Sequence, residues 1–446
     1  MLAGMRRSKI SHWMRAGAGT VRAGVAVVRA QVALGLVAAI ALVVAAYAQD
    51  LDAEVLKSLA EEQVIVTQDL DGGYEVDYAD AGASAFERTR AQLDDLTPIV
   101  RLRIANDDVL KHLYLDGLTE LEHLELSNNP SLRSINGLED LKHLQTLVIT
   151  SNGRLKNEIA PFAGLSELQT LKVIGNARLR VLPDLGALAD LRDLEVVGNE
   201  RLAALTGLEG LQKLERLEVR GNGRLSELAL HGALGKLQSL AVYRNRELEV
   251  VSGLGGSRQL ERLVVYGNDE LVEMPDLEHL TRLRNLEISN NAELPAVSGL
   301  ENLGQLERLV ITRNRALTSL SGLDGLASLR SLVIYGNESL SSVYGLGGLD
   351  RLQLLVVWDN PALRDIAGLA SLASLQRAAV AGSLVEKLMD AFQHTPQLQS
   401  LVLDDGGDTR RVGIALNQMR RDAGLAPVEI SHSAPGSPAW WDAMRG

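Results

Sequence analysis

The sequence predicts a solenoid, a fold in which short turns of chain stack on one another along an axis. Three observations predict it. An asparagine recurs every 23 residues through the middle of the 446-residue chain, with a single step of 24 residues. Apolar residues keep fixed offsets from each asparagine, and the unit occurs eleven times at one period, which chance does not produce. The recurring asparagines are Asn129, Asn152, Asn176, Asn199, Asn222, Asn245, Asn268, Asn291, Asn314, Asn337 and Asn360.

Each repeat divides into a strand and a return. Before Asn314, Leu309 and Ile311 alternate with polar residues, which predicts a short strand with one buried face. After it, leucines follow at every third position from Leu317 to Leu329, a period that favours 3₁₀ or irregular turns. We therefore expect an α/β solenoid of right-handed turns. A parallel sheet of thirteen or so strands would line the concave face, with the returns on the convex face.

The repeated asparagine has a structural explanation. Its amide carries both a donor and an acceptor, so it can satisfy backbone groups of its own loop and of the next turn. A glycine follows eight residues later in most repeats, where a tight return requires a positive φ. Asp184 and Asp276 replace that glycine in two repeats. The glycines are Gly137, Gly207, Gly253, Gly299, Gly322, Gly345 and Gly368.

These blocks resemble the leucine-rich-repeat family. The segments Leu-Glu-Leu-Ser-Asn-Asn at 124–129 and Leu-Val-Ile-Thr-Arg-Asn at 309–314, with their counterparts in the other repeats, carry the resemblance. The spacing is most similar to bacterial secreted proteins of the receptor L-domain and internalin type, and the resemblance covers about 101–406. It implies a protein that recognises proteins, peptides or glycans on the concave sheet and that is not an enzyme.

Composition narrows the possible chemistry. The chain has no cysteine, so thiolate nucleophiles and cysteine-ligated metals are excluded. Its net charge is −12, which argues against a general nucleic-acid binder. The eight histidines form no metal-binding or catalytic motif, and we expect no cofactor and no metal. For His231 we expect a local slip that places Leu230 in the core. The acidic loop of Asp404, Asp405 and Asp408 fits a solvated loop better than a calcium site.

The N-terminus predicts export. Residues 1–48 contain six basic residues and no acid, followed by an apolar run at 32–48 that ends in Ala46-Tyr47-Ala48. This is the composition of a secretory signal peptide, whose removal would take the net charge to about −18. The alternative is an uncleaved membrane anchor, for which the apolar run has the minimum length. The location would then be the periplasm, the cell surface or the exterior.

The remaining segments divide as follows. Residues 49–100 are predicted to be an N-terminal cap, with a hairpin over 64–78 and a short helix over 85–96 that ends before Pro98. Repeats occupy 101–408, although the pattern decays after Asn360. Residues 409–430 are predicted to form a C-terminal cap, with a helix closed by Gly424 and a last strand. The tail at 431–446, which contains Trp440 and Trp441, is predicted to be flexible.

The candidate binding site lies on the outward residues of the strands, four and two positions before each asparagine. These are mostly charged or small in the first half and become apolar or aromatic from Asn245 onward, which suggests a protein or peptide partner. β-propensity alone is the alternative reason for them. We expect these side chains to lie outside the core. The alternative functions are glycan binding and a structural surface-layer role. An enzyme with an unrecognised site is the least favoured. The candidate residues are Tyr243, Arg244, Val264, Tyr266, Val310, Arg313, Val333, Tyr335, Val356 and Trp358.

Overall fold

The computed structural model describes residues 53–79, 81–232, 234–275, 277–366, 372–381, 384, 387, 391–392, 394–403 and 409–432. The proposed signal peptide, Asp276, Gly368, the acidic loop at 404–408 and Trp440-Trp441 lie outside these residues. The chain divides between Leu102 and Arg103 into two compact units. No helix among the described residues is long and apolar enough to cross a membrane.

The first unit contains a helix, a hairpin and a second helical segment. The predicted hairpin is confirmed, because β1 and β2 pair antiparallel. The single helix expected over 85–96 is wrong, since an α-helix gives way there to a 3₁₀ turn at Arg90. The cap role of this segment stays a prediction. The elements are α1 Ala53–Glu61, β1 Ile65–Gln68, β2 Tyr74–Asp77, α2 Ala85–Thr89, the 3₁₀ turn Arg90–Asp95 and β3 Ile99–Ala105, which continues into the second unit.

Tyr78 is buried in the core of the first unit, where it contacts the second helical segment. Its hydroxyl lies 2.7 Å from the Thr89 hydroxyl, and its ring meets Phe86 edge-on with the centroids 5.4 Å apart. Burial raises the pKa of Tyr78 to about 12, with the Thr89 hydrogen bond opposing that rise. The phenol is therefore a neutral packing group here.

The second unit is the predicted solenoid. From β4 to β17 every strand pairs in parallel with the next, and equivalent residues of successive repeats lie side by side, as in Leu309 beside Leu332. The strands are β4 His123–Ser127, β5 Thr146–Thr150, β6 Thr170–Ile174, β7 Asp193–Val197, β8 Arg216–Arg220, β9 Ser239–Tyr243, β10 Arg262–Tyr266, β11 Asn285–Ser289, β12 Arg308–Thr312, β13 Ser331–Tyr335, β14 Leu354–Trp358, β15 Arg377–Val380, β16 Ser400–Leu403 and β17 Glu429–His432.

The returns contain 3₁₀ turns, as the period of three predicts, and also short strands, which it did not predict. Gly207 and Gly253 each precede such a turn with φ above +80°, and a Cβ on Gly207 would lie 2.2 Å from the Gly186 nitrogen. The short strands are His112–Tyr114, Ser134–Asn136, Glu158–Ile159, Glu227–Ala229, Val250–Ser252, Ser319–Leu320, Ser342–Val343 and Asp365–Ile366. The 3₁₀ turns are Leu138–Asp140, Phe162–Gly164, Leu208–Gly210, Leu254–Gly256, Leu300–Asn302, Leu323–Gly325 and Leu346–Gly348.

The core between the sheet and the returns is filled by the repeat leucines, nearly all of them fully buried. Leu230 is buried and His231 is exposed, so the slip predicted at that position is confirmed. The side of the sheet directed away from this core is called the outer sheet face below. It is the face that the sequence analysis calls concave.

The asparagines form a continuous hydrogen-bonded ladder along the stack. The Oδ1 atom of Asn268 accepts the backbone N–H of Asn245 at 3.0 Å, and its Nδ2 atom donates to the Val242 carbonyl at 3.1 Å. Its Nδ2 also lies 3.4 Å from Oδ1 of Asn291, and the same contacts recur from Asn129 to Asn337. Asp107 begins the ladder, since its N–H donates to Oδ1 of Asn129 at 3.0 Å.

Replacing Asn268 with alanine should lower the free energy of unfolding by roughly 1–3 kcal/mol, because buried backbone groups lose their partners. The measurement is urea denaturation followed by circular dichroism. Asn302, an exposed asparagine at the end of a 3₁₀ turn, is the control, and its alanine variant should stay within about 0.5 kcal/mol of wild type. Equal denaturation midpoints for the two variants would contradict the ladder's role.

Helix α3, Thr409–Asp422, and β17 follow the last repeat strand, and their role as a C-terminal cap stays a prediction. The predicted helix, its end at Gly424 and the last strand are confirmed. Arg420 is fully buried and donates to backbone carbonyls from two segments. Its Nη1 lies 2.8 Å from the carbonyls of both Phe392 and Thr395, and its Nε lies 2.9 Å from that of Ala426. Burial lowers the pKa of Arg420.

Changing Arg420 to lysine should destabilise this end by about 2 kcal/mol or more, because one ammonium cannot reproduce the planar fork that reaches these carbonyls. Hydrogen exchange of the β17 amides would measure the local loss. The neighbouring Arg421→Lys is the control, since Arg421 is exposed and bonds only Gln418 of its own helix in the contacts described. Unchanged protection in the Arg420 variant would contradict a closing role.

Candidate functional site

The outer sheet face is organised in two rows. Because side chains alternate along a strand, the residues four and two positions before each ladder asparagine point away from the leucine core. We call the first set row A and the second set row B. The parallel register aligns each row from strand to strand, so that Tyr243 lies beside Tyr266 and Tyr335 beside Trp358.

The first half of this face is charged but largely self-neutralising. In row A, Arg103 lies 3.2 Å from Glu125, and Lys172 lies 3.0 Å from Glu195 on the neighbouring strand. These groups are roughly 25–40% exposed, so each pair contributes only about 0–1 kcal/mol and is screened by salt. This half of the face therefore offers mixed charges and no strong field of one sign.

An aromatic and arginine cluster occupies the centre of the face. Tyr243 and Tyr266 are half-buried neighbours in row B, and Arg244 is exposed at the end of the first of these strands. The Arg244 guanidinium carbon lies 5.8 Å from the Tyr266 ring centroid. Such a contact is worth about 0.5–1 kcal/mol at an exposed site and holds both groups in place. We call Tyr243, Arg244 and Tyr266 the central cluster.

A second aromatic cluster lies further along the stack and is buried. Tyr335 is 8% exposed and Trp358 only 2%, and both pack with Leu354, Val356, Ala379 and Val402. We call these six residues the covered cluster. The expectation that Tyr335 and Trp358 lie outside the core is wrong: they are in row B of the outer sheet face, yet both side chains are buried. Val356 is also buried, while Val333 is half-buried against the cluster.

The remaining candidate residues differ in accessibility. Val264 and Val310 in row A are buried at 5% and 8%, and both lie beside Glu287 on the strand between them. Arg313 is exposed, and its guanidinium carbon lies 5.5 Å from the Tyr335 ring centroid. The structure thus brings Tyr243, Arg244 and Tyr266 together at the surface, and leaves Arg313 as the accessible edge of the second group.

Both arginines occupy a strained backbone position that the sequence analysis missed. The residue just before the ladder asparagine has a positive φ in many turns and is glycine in several, as at Gly267 and Gly336. Arg244 and Arg313 adopt φ values of 51° and 56° there. A non-glycine residue in this region costs about 1–3 kcal/mol, and such strain concentrates at functional sites. The sequence did contain a signal for this positive φ, because most repeats have Gly, Asn, Asp or Ser just before the ladder asparagine.

A polar groove of about 400 Å³ adjoins Arg313 at the loops that follow the strands. Arg313, Arg315 and Asp359 line it, and the Arg315 Nε lies 3.2 Å from a carboxylate oxygen of Glu338. Charges of both signs are therefore available beside the outer sheet face. Within the described ranges, no group of three or more histidine, aspartate or glutamate side chains is arranged to hold a metal ion.

Several solved structures are similar to this chain. No family model matches the chain, and no curated protein matches it. A leucine-rich-repeat protein of Leptospira interrogans is 19% identical, with 76% of this chain and 86% of that one covered and a TM-score of 0.44. An internalin of Listeria monocytogenes is 21% identical, covering 60% and 84%, with a TM-score of 0.34. A leucine-rich-repeat protein of Bacteroides ovatus is 14% identical, covering 76% and 98%, with a TM-score of 0.21. The fold of this chain is assigned from its own parallel register and asparagine ladder. Both features show that it has the leucine-rich-repeat fold.

Proposed function

We propose that this protein is a non-enzymatic recognition protein that binds a protein or peptide partner on its outer sheet face. The observation that carries the proposal is the central cluster, two neighbouring tyrosines with an arginine stacked on one of them at the surface. Tyrosine and arginine are enriched among the residues that supply most of the binding energy of protein interfaces. Flat aromatic side chains also lose little conformational entropy on binding.

The placement of the cluster favours an extended contact along the stack. Row B runs from Tyr243 through Tyr266 and Ser289 to Thr312, and Arg313 follows Thr312 at the edge. Adjacent strands are about 4.8 Å apart, so these four strands span about 14 Å. In row A of the same strands, the apolar Val264 and Val310 lie on either side of Glu287. A peptide segment or a protein loop matches such a strip in length, and acidic groups of the partner would pair with the two arginines.

The partner-binding test uses a matched pair of double variants. Tyr243→Ala with Tyr266→Ala should weaken partner binding at least about tenfold, the equivalent of about 1.4 kcal/mol, because the anchors are lost. The fold should remain, since both side chains are half-exposed. The partner is first captured from the native envelope or culture medium on immobilised wild-type protein, and affinities are then measured by calorimetry.

Glu195→Ala with Glu218→Ala is the control, because these row A residues lie side by side in the charged half of the face. It should bind within about twofold of wild type. If the tyrosine pair can be removed without loss of affinity, the site lies elsewhere. A glycan array run with the same proteins distinguishes the alternative ligand class, since a glycan site would bind there and capture no polypeptide.

Export is the second part of the proposal. The basic and apolar composition of residues 1–48 supports cleavage after Ala48. The mature chain purified from its native source should therefore begin at Gln49, as mass spectrometry of its N-terminal peptide would show. A chain in the cytoplasm that begins at Met1 would contradict export. A membrane-bound chain that retains the segment would support the uncleaved anchor.

A further inference from the structure

Charged side chains are sorted by sign along the loops that follow the strands, which we call the loop edge. The second residue after the ladder asparagine is arginine in four successive turns and glutamate in the next three, and all of these residues are exposed. Hydrogen bonds between successive asparagines, as from the N–H of Asn222 to Oδ1 of Asn245 at 3.0 Å, place them side by side. The basic column is Arg154, Arg178, Arg201 and Arg224, and the acidic column is Glu247, Glu270 and Glu293.

A second position on the loop edge follows the same division. The fourth residue after the ladder position is basic in the first turns and is Glu249 further along the stack. At the first residue after the asparagine, Glu200 and Arg246 have the sign opposite to that of the column beside them, so each half of the edge keeps one net sign. The basic residues at the fourth position are Lys111, Arg133, Lys156 and Arg180.

The two columns lack the partners that charged residues elsewhere on these turns have. On the opposite edge, Arg192 Nη1 lies 2.7 Å from Glu215 Oε1, and Lys213 Nζ lies 2.6 Å from Asp190 Oδ1, both across one turn. Within the part of the chain that the structure describes, no member of either column makes an ion pair. Like charges on neighbouring strands repel and lower stability. A surface of opposite charge would remove that cost.

We propose that a second copy of this chain binds along the loop edge in the reverse direction, so that the basic column of each copy meets the acidic column of the other. A twofold axis between Arg224 and Glu247 produces this contact, because a twofold interface joins the same surface patch of both subunits. The pairs, each formed twice, are Arg224 with Glu247 of the second copy, Arg201 with its Glu270 and Arg178 with its Glu293.

The order and spacing of the charges favour a second copy over an unrelated partner. Adjacent turns are about 4.8 Å apart, so the column residues span about 29 Å of the stack. An acidic protein or an anionic polymer would be attracted by the basic column and repelled by the acidic column. A partner that satisfies both must carry the two runs in reverse order at the spacing of one turn. The loop edge of a second copy has that arrangement.

One consequence of this arrangement rests on the proposed function. The central cluster belongs to the turns of Asn245 and Asn268, which adjoin the twofold axis. An axis normal to the outer sheet face would direct both of these faces to the same side, with the two central clusters on either side of the axis. An extended partner could then contact both clusters, which would raise its apparent affinity.

Charge reversal tests the contact without any other partner. We call Arg178→Glu with Arg201→Glu the basic-reversed variant, and Glu270→Arg with Glu293→Arg the acidic-reversed variant. Each should raise the dissociation constant of the dimer at least about tenfold, because attractive pairs become repulsive. Sedimentation velocity of the full chain over a series of concentrations measures this constant. Circular dichroism checks the fold, which should be kept because all four side chains are exposed.

The two variants together provide a rescue. Mixed in equal amounts, they should form a heterodimer with the affinity of the wild-type dimer, since reversed columns meet each other and unchanged columns meet each other. A chain with all four substitutions should also dimerise with itself, and its net charge equals that of wild type. The control is Arg258→Glu with Arg282→Glu, two exposed arginines outside the loop edge. It changes the net charge as much as the basic-reversed variant does and should leave the dissociation constant within about twofold of wild type.

Three outcomes would overturn the proposal. Wild-type protein that stays monomeric at every concentration would exclude the dimer. A wild-type dimer that tolerates either reversal would have its interface elsewhere. Loss of association in both variants without rescue in their mixture would show that the two columns do not face each other. Each result is independent of the tyrosine-pair binding test, because no residue of the central cluster is changed and no captured partner is used.

Discussion

Satisfaction of buried amide groups is the constraint on which the rest of the structure depends. Each ladder asparagine from Asn129 to Asn337 has no exposed surface, and each bridges its own turn to its neighbours. An unpaired buried amide group there costs about 1–3 kcal/mol, so the number of residues between each strand and its asparagine cannot change. The one repeat of 24 residues shows where length can vary. Leu147 still lies beside Leu171, and the extra residue is accommodated in the return, where Pro161 precedes the 3₁₀ turn.

The same ladder creates the strained position at which the arginines sit. To turn the chain so that the asparagine points inward, the preceding residue adopts a positive φ, and its N–H donates to the next strand. Arg244 and Arg313 make this bond to the carbonyls of Tyr266 and Tyr335 at 2.8 Å in both cases. Each arginine is thereby placed over the ring of the residue that accepts its hydrogen bond. The surface cluster is a direct product of the ladder's geometry.

Periodicity determined which features could be predicted. The strands, the positive φ at Gly253 and the slip at His231 follow from a pattern repeated many times, so each repeat reinforced the prediction of the others. Helix α1 and the change from α-helix to 3₁₀ turn at Arg90 lie in the first unit, where each signal occurs once. The burial of Trp358 in the covered cluster was not predicted, because the pattern fixes which face of the strand a residue occupies and not how exposed it is there.

Recognition in such a fold depends on the residues that the repeat leaves free. Leucines and asparagines are held by packing and by hydrogen bonds, whereas rows A and B face away from the core and tolerate many side chains. In the first half of the face these rows hold charges that pair with each other, as Lys172 does with Glu195. From β9 onward they hold mainly tyrosine, valine and tryptophan, whose large apolar surface favours being covered. Trp358 is buried and Tyr266 is half-buried although both occupy row B, so the repeat that fixes the position of a side chain on this face does not fix how much of it a partner can reach.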